Sequence, residues 1–203
     1  MLSTNHRLVK GKGKDSVHFS MPHLSAFGIS RKGNADIAWI KSDTVEWKAF
    51  ASQKPPTNFV YFKTKRGTAE TRIEDPNNWK KWRVKTSVGG GPVLLQHGEV
   101  KITNEEEKMF TGKAINDKHP RTAMGYSKDN KLIILVVEGR NPNAGGATLT
   151  QEAQILKDLG CWEALNLDGG GSSCLLINGR ETIKTSDKNG QRPVPAVFII
   201  RQK

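Results

Sequence analysis

The sequence predicts a mixed fold, α+β or α/β: a largely β architecture flanked by a few helices, with a βαβ unit over residues 132–167 carrying the functional site. Three observations predict it. Short apolar runs bounded by glycine, asparagine or proline recur along the chain, as strands do. One run, Leu149 to Leu159, instead repeats its apolar residues at helical spacing. That helix stands between two apolar segments, Leu132–Val137 and Glu163–Leu167, which is the order of a βαβ unit. With 203 residues and no obvious linker, the chain is expected to form one domain, 1–203, large enough to bury a core without covalent staples.

Taken in order, residues 1–18 are polar, with Lys10, Lys12 and Lys14 alternating with Gly11 and Gly13, and read as a loosely packed lead-in. This basic start has no apolar stretch and so is not a signal peptide. Ser25–Ile29 and Ala35–Ile40 form a hairpin around Arg31-Lys32-Gly33-Asn34, and Phe59–Phe62 makes a further strand. Asp75-Pro76 is a cap followed by a first-turn proline, predicting a short helix over Asn77–Trp82. Trp79-Lys80-Lys81-Trp82 combines aromatics and lysines as a nucleic-acid surface would. Tryptophans three apart share a helix face, however, and the preferred reading anchors them in a core.

Ser87–Leu95 leads a triple glycine, Gly89-Gly90-Gly91, into a strand and then a turn at Gln96-His97-Gly98. Thr103 with Glu106 matches a capping box, and Glu105, Glu106 and Glu107 suit the positive end of a short helix. Thr122–Tyr126 and Leu132–Val137 are strands around Lys128-Asp129-Asn130; the unbroken apolar second strand predicts cover on both faces. Thr148 and Gln151 make another capping box, Leu149, Ala153, Leu156 and Leu159 share a face, and Gly160 ends the helix. Glu163–Leu167 is expected to run parallel to Leu132–Val137 through a right-handed crossover. Arg192-Pro193-Val194-Pro195 precedes a last strand, Ala196–Arg201.

The 32 Lys+Arg against 20 Asp+Glu leave a net charge of +12, which favours polyanionic partners without choosing among nucleic acid, anionic membrane and acidic polysaccharide. No recognised nucleic-acid module accompanies the charge, so that class ranks third. No apolar stretch is long enough to span a bilayer. Cys161 and Cys174 exclude a disulfide framework; one bridge would be compatible with the count, and two buried thiols are preferred.

The chemistry concentrates in Ala164-Leu-Asn-Leu-Asp-Gly-Gly-Gly-Ser-Ser173. Glycine loses more backbone freedom on folding than any other residue, so three together between apolar runs mark a backbone that approaches something closely. Parallel strands place Glu138 and Asp168, each just past a strand, on one edge of the sheet, where open α/β sheets bind ligands. Arg140 lies two residues on, the Thr148 helix offers its N-terminus, and Arg121 adds a planar fork suited to phosphate or carboxylate. Together these groups suit an anionic, sugar-like substrate.

Five segments, Gly89-Gly-Gly-Pro-Val-Leu-Leu95, His119-Pro-Arg-Thr-Ala-Met-Gly125, Glu138-Gly-Arg140, Ala164–Ser173 and Arg192-Pro-Val194, stand in the order found in the phosphodiester glycosidases, and the chain resembles that family over about residues 87–201. The family usually has aspartate where this chain has Glu138, and an upstream Asn-Gly-Gly-Phe-Phe-like motif that this chain does not show. The resemblance implies hydrolysis of a sugar-1-phosphodiester in a glycan, glycoconjugate or cell-wall polymer, in an extracytoplasmic compartment. It implies catalytic roles for Asp168, Glu138, Arg140 and Arg121. Substrate contacts are then expected from Gly89, Gly90, Gly91, His119, Thr148, Asn166, Gly169, Gly170, Gly171, Ser172, Ser173 and Arg192. The separation of Asp168 and Glu138 would decide between inversion and retention. No cofactor is required; Asp168, Glu138 and Asp187 are hard oxygen donors of the kind Ca²⁺ takes, though no spacing demands a metal. The competing class is a non-catalytic binder of anionic polysaccharide.

Overall fold

The computed structural model describes residues 7–10, 17–20, 25–43, 48–55, 60–63, 69–72, 78–107, 109–112, 116–194 and 197–201. The first half of the chain supplies β1 (Arg7–Lys10), β2 (Val17–Ser20), β3 (Ser25–Ile29), β4 (Ala35–Asp43), β5 (Lys48–Ser52), β6 (Val60–Lys63), β7 (Ala69–Arg72), β8 (Lys80–Lys81) and β9 (Thr86–Gly90). The second supplies β10 (Val93–Gln96), β11 (Glu99–Val100), α1 (Asn104–Glu107), β12 (Arg121–Tyr126), β13 (Leu132–Val137), α2 (Leu149–Asp158), β14 (Glu163–Asn166), β15 (Leu176–Ile177) and β16 (Arg180–Glu181). The fold is α+β and mostly strand.

Two five-stranded sheets, β8-β5-β4-β3-β9 and β11-β10-β14-β12-β13, carry the architecture, and every pairing in them is antiparallel. The side-chain period of two sorts residues between two apolar layers. Met124 and Leu165 face the other sheet and meet Phe27, Ile37, Trp39 and Val93. Their neighbours Ala123 and Ala164 face the opposite way and join Leu94, Leu149, Ala153, Leu156 and Cys161 beneath α2. The result is three layers: sheet, sheet, helix. Each fully buried side chain of the size of Phe27 or Leu165 stabilises this arrangement by about 1.5–3 kcal/mol.

One buried carboxylate fastens the sheets together. Glu107 accepts from Ser25 Oγ of one sheet at 2.7 Å, from the Val93 N–H of the other at 2.9 Å, and from Thr103 Oγ1 at 2.6 Å. Burial raises its pKa, against the pull of those donors. The Thr103 hydroxyl is thereby spent on Glu107 rather than on the expected capping box with Glu106.

The βαβ expectation needs one correction. β13 and β14 do run in the same direction, but each pairs antiparallel with β12, which lies between them. Because Arg121 faces Val137 and Ala123 faces Asn166, the ends of β13 and β14 and the start of β12 share one sheet edge. β13 is itself an edge strand: Ile133 and Leu135 pack on the cluster beneath α2 and Leu132 and Ile134 on the inter-sheet core, so both faces are covered as its composition predicts, while the open edge leaves every position half-buried.

Other elements differ from their sequence patterns. Part of the lead-in pairs as the β1–β2 hairpin. Of the segment 77–82, residue 77 lies outside the described residues, as do Asp75-Pro76; Lys80–Lys81 form a strand beside β5 instead of a helix. A six-residue helix gains few backbone bonds, whereas the β5 edge offers ready partners, continued by Trp82 N–H to the Ala49 carbonyl at 2.8 Å. The tryptophans are nonetheless anchored: Trp79 packs on the inter-sheet core and Trp82 Nε1 donates to Asp36 at 2.6 Å. Leu159, one residue beyond α2, is exposed. Val197 to Ile200 are exposed and form no strand, so the expected C-terminal strand is not found among the described residues. Phe59 lies outside the described residues, and the strand expected there is β6. Cys161 and Cys174 are free thiols; burial pushes Cys161 up to about 11.

Candidate active site

The site edge is built around the backbone of His119-Pro120. On one side His119 and Ala147 exchange backbone bonds of 3.1 and 2.9 Å; on the other, Gly170 N–H reaches the Pro120 carbonyl at 2.9 Å. Three glycines make room for this passage. A Cβ on Gly146, whose φ is +96°, would lie 2.5 Å from the His119 carbonyl. One on Gly139 would meet Pro120 N at 2.9 Å, and one on Gly169 would meet Pro120 O at 2.7 Å. The loops after β13, before α2 and after β14 therefore close on the lead into β12. The glycines of the signature loop act here as spacers between backbones.

Two arginines and an imidazole gather at this edge. Arg140, in the left-handed region at φ +59°, contacts His119 Nδ1 through Nη2 at 3.0 Å. Its Nη1 lies 3.1 Å from where a Gly170 Cβ would stand, so the guanidinium rests on the signature loop. Arg121 is buried beneath, Nε donating to the Ala147 carbonyl at 2.9 Å and Nη2 to the Asp117 carbonyl at 3.3 Å. Its guanidinium sits 5.7 Å from the Phe110 ring centroid. Burial, then the charges of Arg140 and Arg121, hold the His119 pKa below its usual range. Among the described residues the ion pairs are Lys131–Asp129, Lys157–Glu99 and Arg192–Asp187, so neither arginine of the site is in contact with a carboxylate among them.

Asp168 stands exposed just past β14. Glu138, half-buried past β13, is occupied within the protein: Oε1 accepts from Asn141 Nδ2 at 2.8 Å and Oε2 from the Lys184 N–H at 3.0 Å. Gly169 is extended, and Gly170–Ser172 coil into one 3-10 turn that leaves Ser172 half-buried. Ser173 is buried and accepts from Thr122 Oγ1 at 3.0 Å. Gly171 lies directly against the Asp187 carboxylate, which pairs with Arg192 at 3.0 Å.

Several residues of the expected site are placed inside the fold. Asn166 is buried, and its Nδ2 donates to the Gly91 carbonyl at 2.7 Å, while Gly91 N–H returns a bond to the Asn166 carbonyl at 2.7 Å. A Cβ on Gly90 would collide with that same carbonyl. Gly90 and Gly91 thus let β9 and β10 approach β14, and their groups serve that contact; Gly89 is exposed. At α2 the Thr148–Gln151 capping box is complete, so the N–H groups of both residues already have partners.

Sequence reasoning passed over Glu152, which is wholly buried with neither carboxylate oxygen hydrogen-bonded and feels the charge of Arg121, although its spacing puts it on the same helical arc as Leu149 and Leu156. It also passed over Asn141, the partner of Glu138. Among the described residues no cluster of three or more His, Cys, Asp or Glu could hold a metal ion. A shallow hollow of about 520 Å³ lined by His97, Lys128 and Trp162 lies at the opposite end of the strands, away from this chemistry.

Fold and site together define an α+β protein whose second sheet gathers two arginines, a histidine and an exposed aspartate at one set of strand ends. The chain belongs to the phosphodiester glycosidase family, whose profile matches residues 26–201. It is 38% identical over 80 residues to the prophage-derived protein YomE of Bacillus subtilis, covering 39% of this chain and 12% of YomE. It is 30% identical over 102 residues to N-acetylglucosamine-1-phosphodiester alpha-N-acetylglucosaminidase of Mus musculus, covering 46% of this chain and 20% of the enzyme. Its fold is similar to that of a candidate exported protein from Burkholderia pseudomallei, with TM-score 0.53, 15% identity, and coverage of 83% of this chain and 55% of that one. The chain therefore spans about an eighth to a fifth of those curated relatives and about half of that solved structure. No helix among the described residues is long and apolar enough to cross a membrane.

Proposed function

We propose that the protein hydrolyses a sugar-1-phosphodiester, releasing free sugar and a phosphomonoester, on an extracytoplasmic glycan, glycoconjugate or cell-wall polymer. The observation that carries this reading is the pair of arginines at one sheet edge, without a contacting carboxylate among the described residues, with the exposed Asp168 just past β14 at the same edge. Family membership supports the reaction class.

Arg121 and Arg140 hold the phosphoryl group, and both gain strength as negative charge grows on it in the transition state. Phosphate is a good leaving group, so stabilising its charge matters more than protonating it. Asp168 activates water, or attacks the anomeric carbon itself, as the C1–O bond breaks and its electron pair passes to the phosphate oxygen. Glu138 is its expected partner. In the geometry described, its bonds to Asn141 and the Lys184 N–H give it the role of ordering the loops around Arg140. His119, Ser172 and the Gly169–Gly171 turn border the phosphate and sugar.

The same commitment of Glu138, with the net charge of +12, favours a second reading: a non-catalytic binder of anionic polysaccharide. Incubation with a synthetic sugar-1-phosphodiester distinguishes the two. Release of phosphomonoester that disappears in Asp168→Asn supports the hydrolase; binding without release supports the binder.

A further inference from the structure

Glu152 lies on α2, two positions past the first turn's Thr150, with no accessible surface, and neither of its carboxylate oxygens has a hydrogen-bond partner. A buried carboxyl without a donor must keep its proton or answer a nearby charge. The elements packed on α2 offer few charges. β10 has no titratable residue, and Glu99 of β11 is bonded to Lys157 at 2.7 Å. From β12 come Arg121 and Tyr126, the latter committed to Glu163 at 2.5 Å. The segment before β12 carries Asp117, Lys118 and His119, and its part toward Arg121 is the Asp117 carbonyl. Arg121 is thus the charge acting on Glu152. Two of its nitrogens are tied to carbonyls, which holds the fork in place and leaves its remaining donors for a ligand.

We propose that Glu152 is a positioning residue for Arg121: its buried carboxyl is a proton-dependent counter-charge that sets how strongly this guanidinium holds an anion. The proposal rests on the reading that Arg121 and Arg140 take a phosphoryl group. Protonated, Glu152 leaves the whole charge of Arg121 to the ligand; ionised, it competes for that charge. Burial holds this carboxyl up to about 8, against the pull of Arg121. Affinity for an anion of constant charge therefore falls as pH rises through that value, and a bound anion reciprocally raises the carboxyl's pKa.

Inorganic sulfate tests this, because it remains a dianion between about pH 7 and about pH 9.5, where His119 is already neutral and ordinary lysines keep their protons. By calorimetry, the wild-type protein should lose roughly tenfold in sulfate affinity across that range, while Glu152→Gln should bind equally well throughout. Identical pH profiles in the two proteins would overturn the role of Glu152 and leave the anion site standing. Absence of sulfate binding in both, at every pH, would overturn the anion site and Glu152 with it. Should Glu152→Gln not fold, a ¹³C titration of Glu152 in the wild-type protein decides: a pKa raised by saturating sulfate supports the coupling, and an unmoved one rejects it.

Discussion

The guanidinium of Arg140 donates from Nη2 to Nδ1 of His119 across 3.0 Å. A guanidinium has no acceptor and keeps its charge, so this assigns the imidazole proton to Nε2. His119 is therefore a neutral donor next to a cation. Its lowered pKa has the same origin: burial first, then Arg140 and Arg121. The contact orders two strand-end loops, since Arg140 follows β13 and His119 precedes β12.

Arg140→Ala should raise the His119 pKa, but only partway to its ordinary value, because burial, the larger cause, remains. NMR titration of the ring measures it. Turnover of a sugar-1-phosphodiester should fall on the order of 10²-fold in kcat/KM. An unmoved His119 pKa would show that the two groups do not sense each other in solution.

Asp168 is exposed, and its replacement removes no packing. Asp168→Asn should keep stability within about 0.5 kcal/mol of the wild-type value while abolishing release of phosphomonoester. Chemical denaturation and a product assay, run on the same preparation, check both halves. An unaffected rate would take Asp168 out of the chemistry.

Gly146 carries a φ of +96° and faces the His119 backbone. Gly146→Ala combines an unfavourable backbone conformation with overlap against main chain that cannot rotate away. A cost of about 2–4 kcal/mol is expected, read as a lower denaturation midpoint at unchanged slope. Gly33 also has a positive φ, +85°, but a Cβ there meets nothing within 4 Å, so Gly33→Ala should cost about 1 kcal/mol.

Glu152 also predicts how stability responds to pH. Its folded pKa, about 8, exceeds the ordinary value of 4.5, so the folded state binds the proton more tightly. The resulting stabilisation is complete below about pH 4.5 and is lost as pH rises through about 8, on the order of a few kcal/mol. Glu107 and Glu163, both raised by burial, act with the same sign. Denaturation midpoints at mildly acid and mildly alkaline pH should differ accordingly, and Glu152→Gln should shrink the difference without removing it.

Much of the fold was legible because its signals are local. The Thr148–Gln151 box, the Gly160 stop and the hairpins around Gly33 and Asn130 depend on contacts within a few residues, and the structure shows each of them. The segment 77–82 was misread because a cap and a proline describe only what a helix could start from. The β5 edge that captured Lys80–Lys81 lies some thirty residues away. β13 was legible in part: six apolar residues predict the packing that Ile133 and Leu135 find on one face and Leu132 and Ile134 on the other, but not that the strand would stand at the edge of its sheet.

The candidate site divides along the same line. Residue order alone determined that a carboxylate, three glycines and two hydroxyls follow a strand, that an arginine follows another, and which family this pattern resembles. Only the tertiary structure decided that β12 would lie between those strands, that Glu138 would turn to Asn141 and Lys184, and that Gly90 and Gly91 would serve Asn166. It alone buried Glu152 within the field of Arg121. The reason is physical. Chain-local preferences act over a turn or a strand, whereas a side chain's partner and its cost of burial depend on segments that meet only once the core has closed.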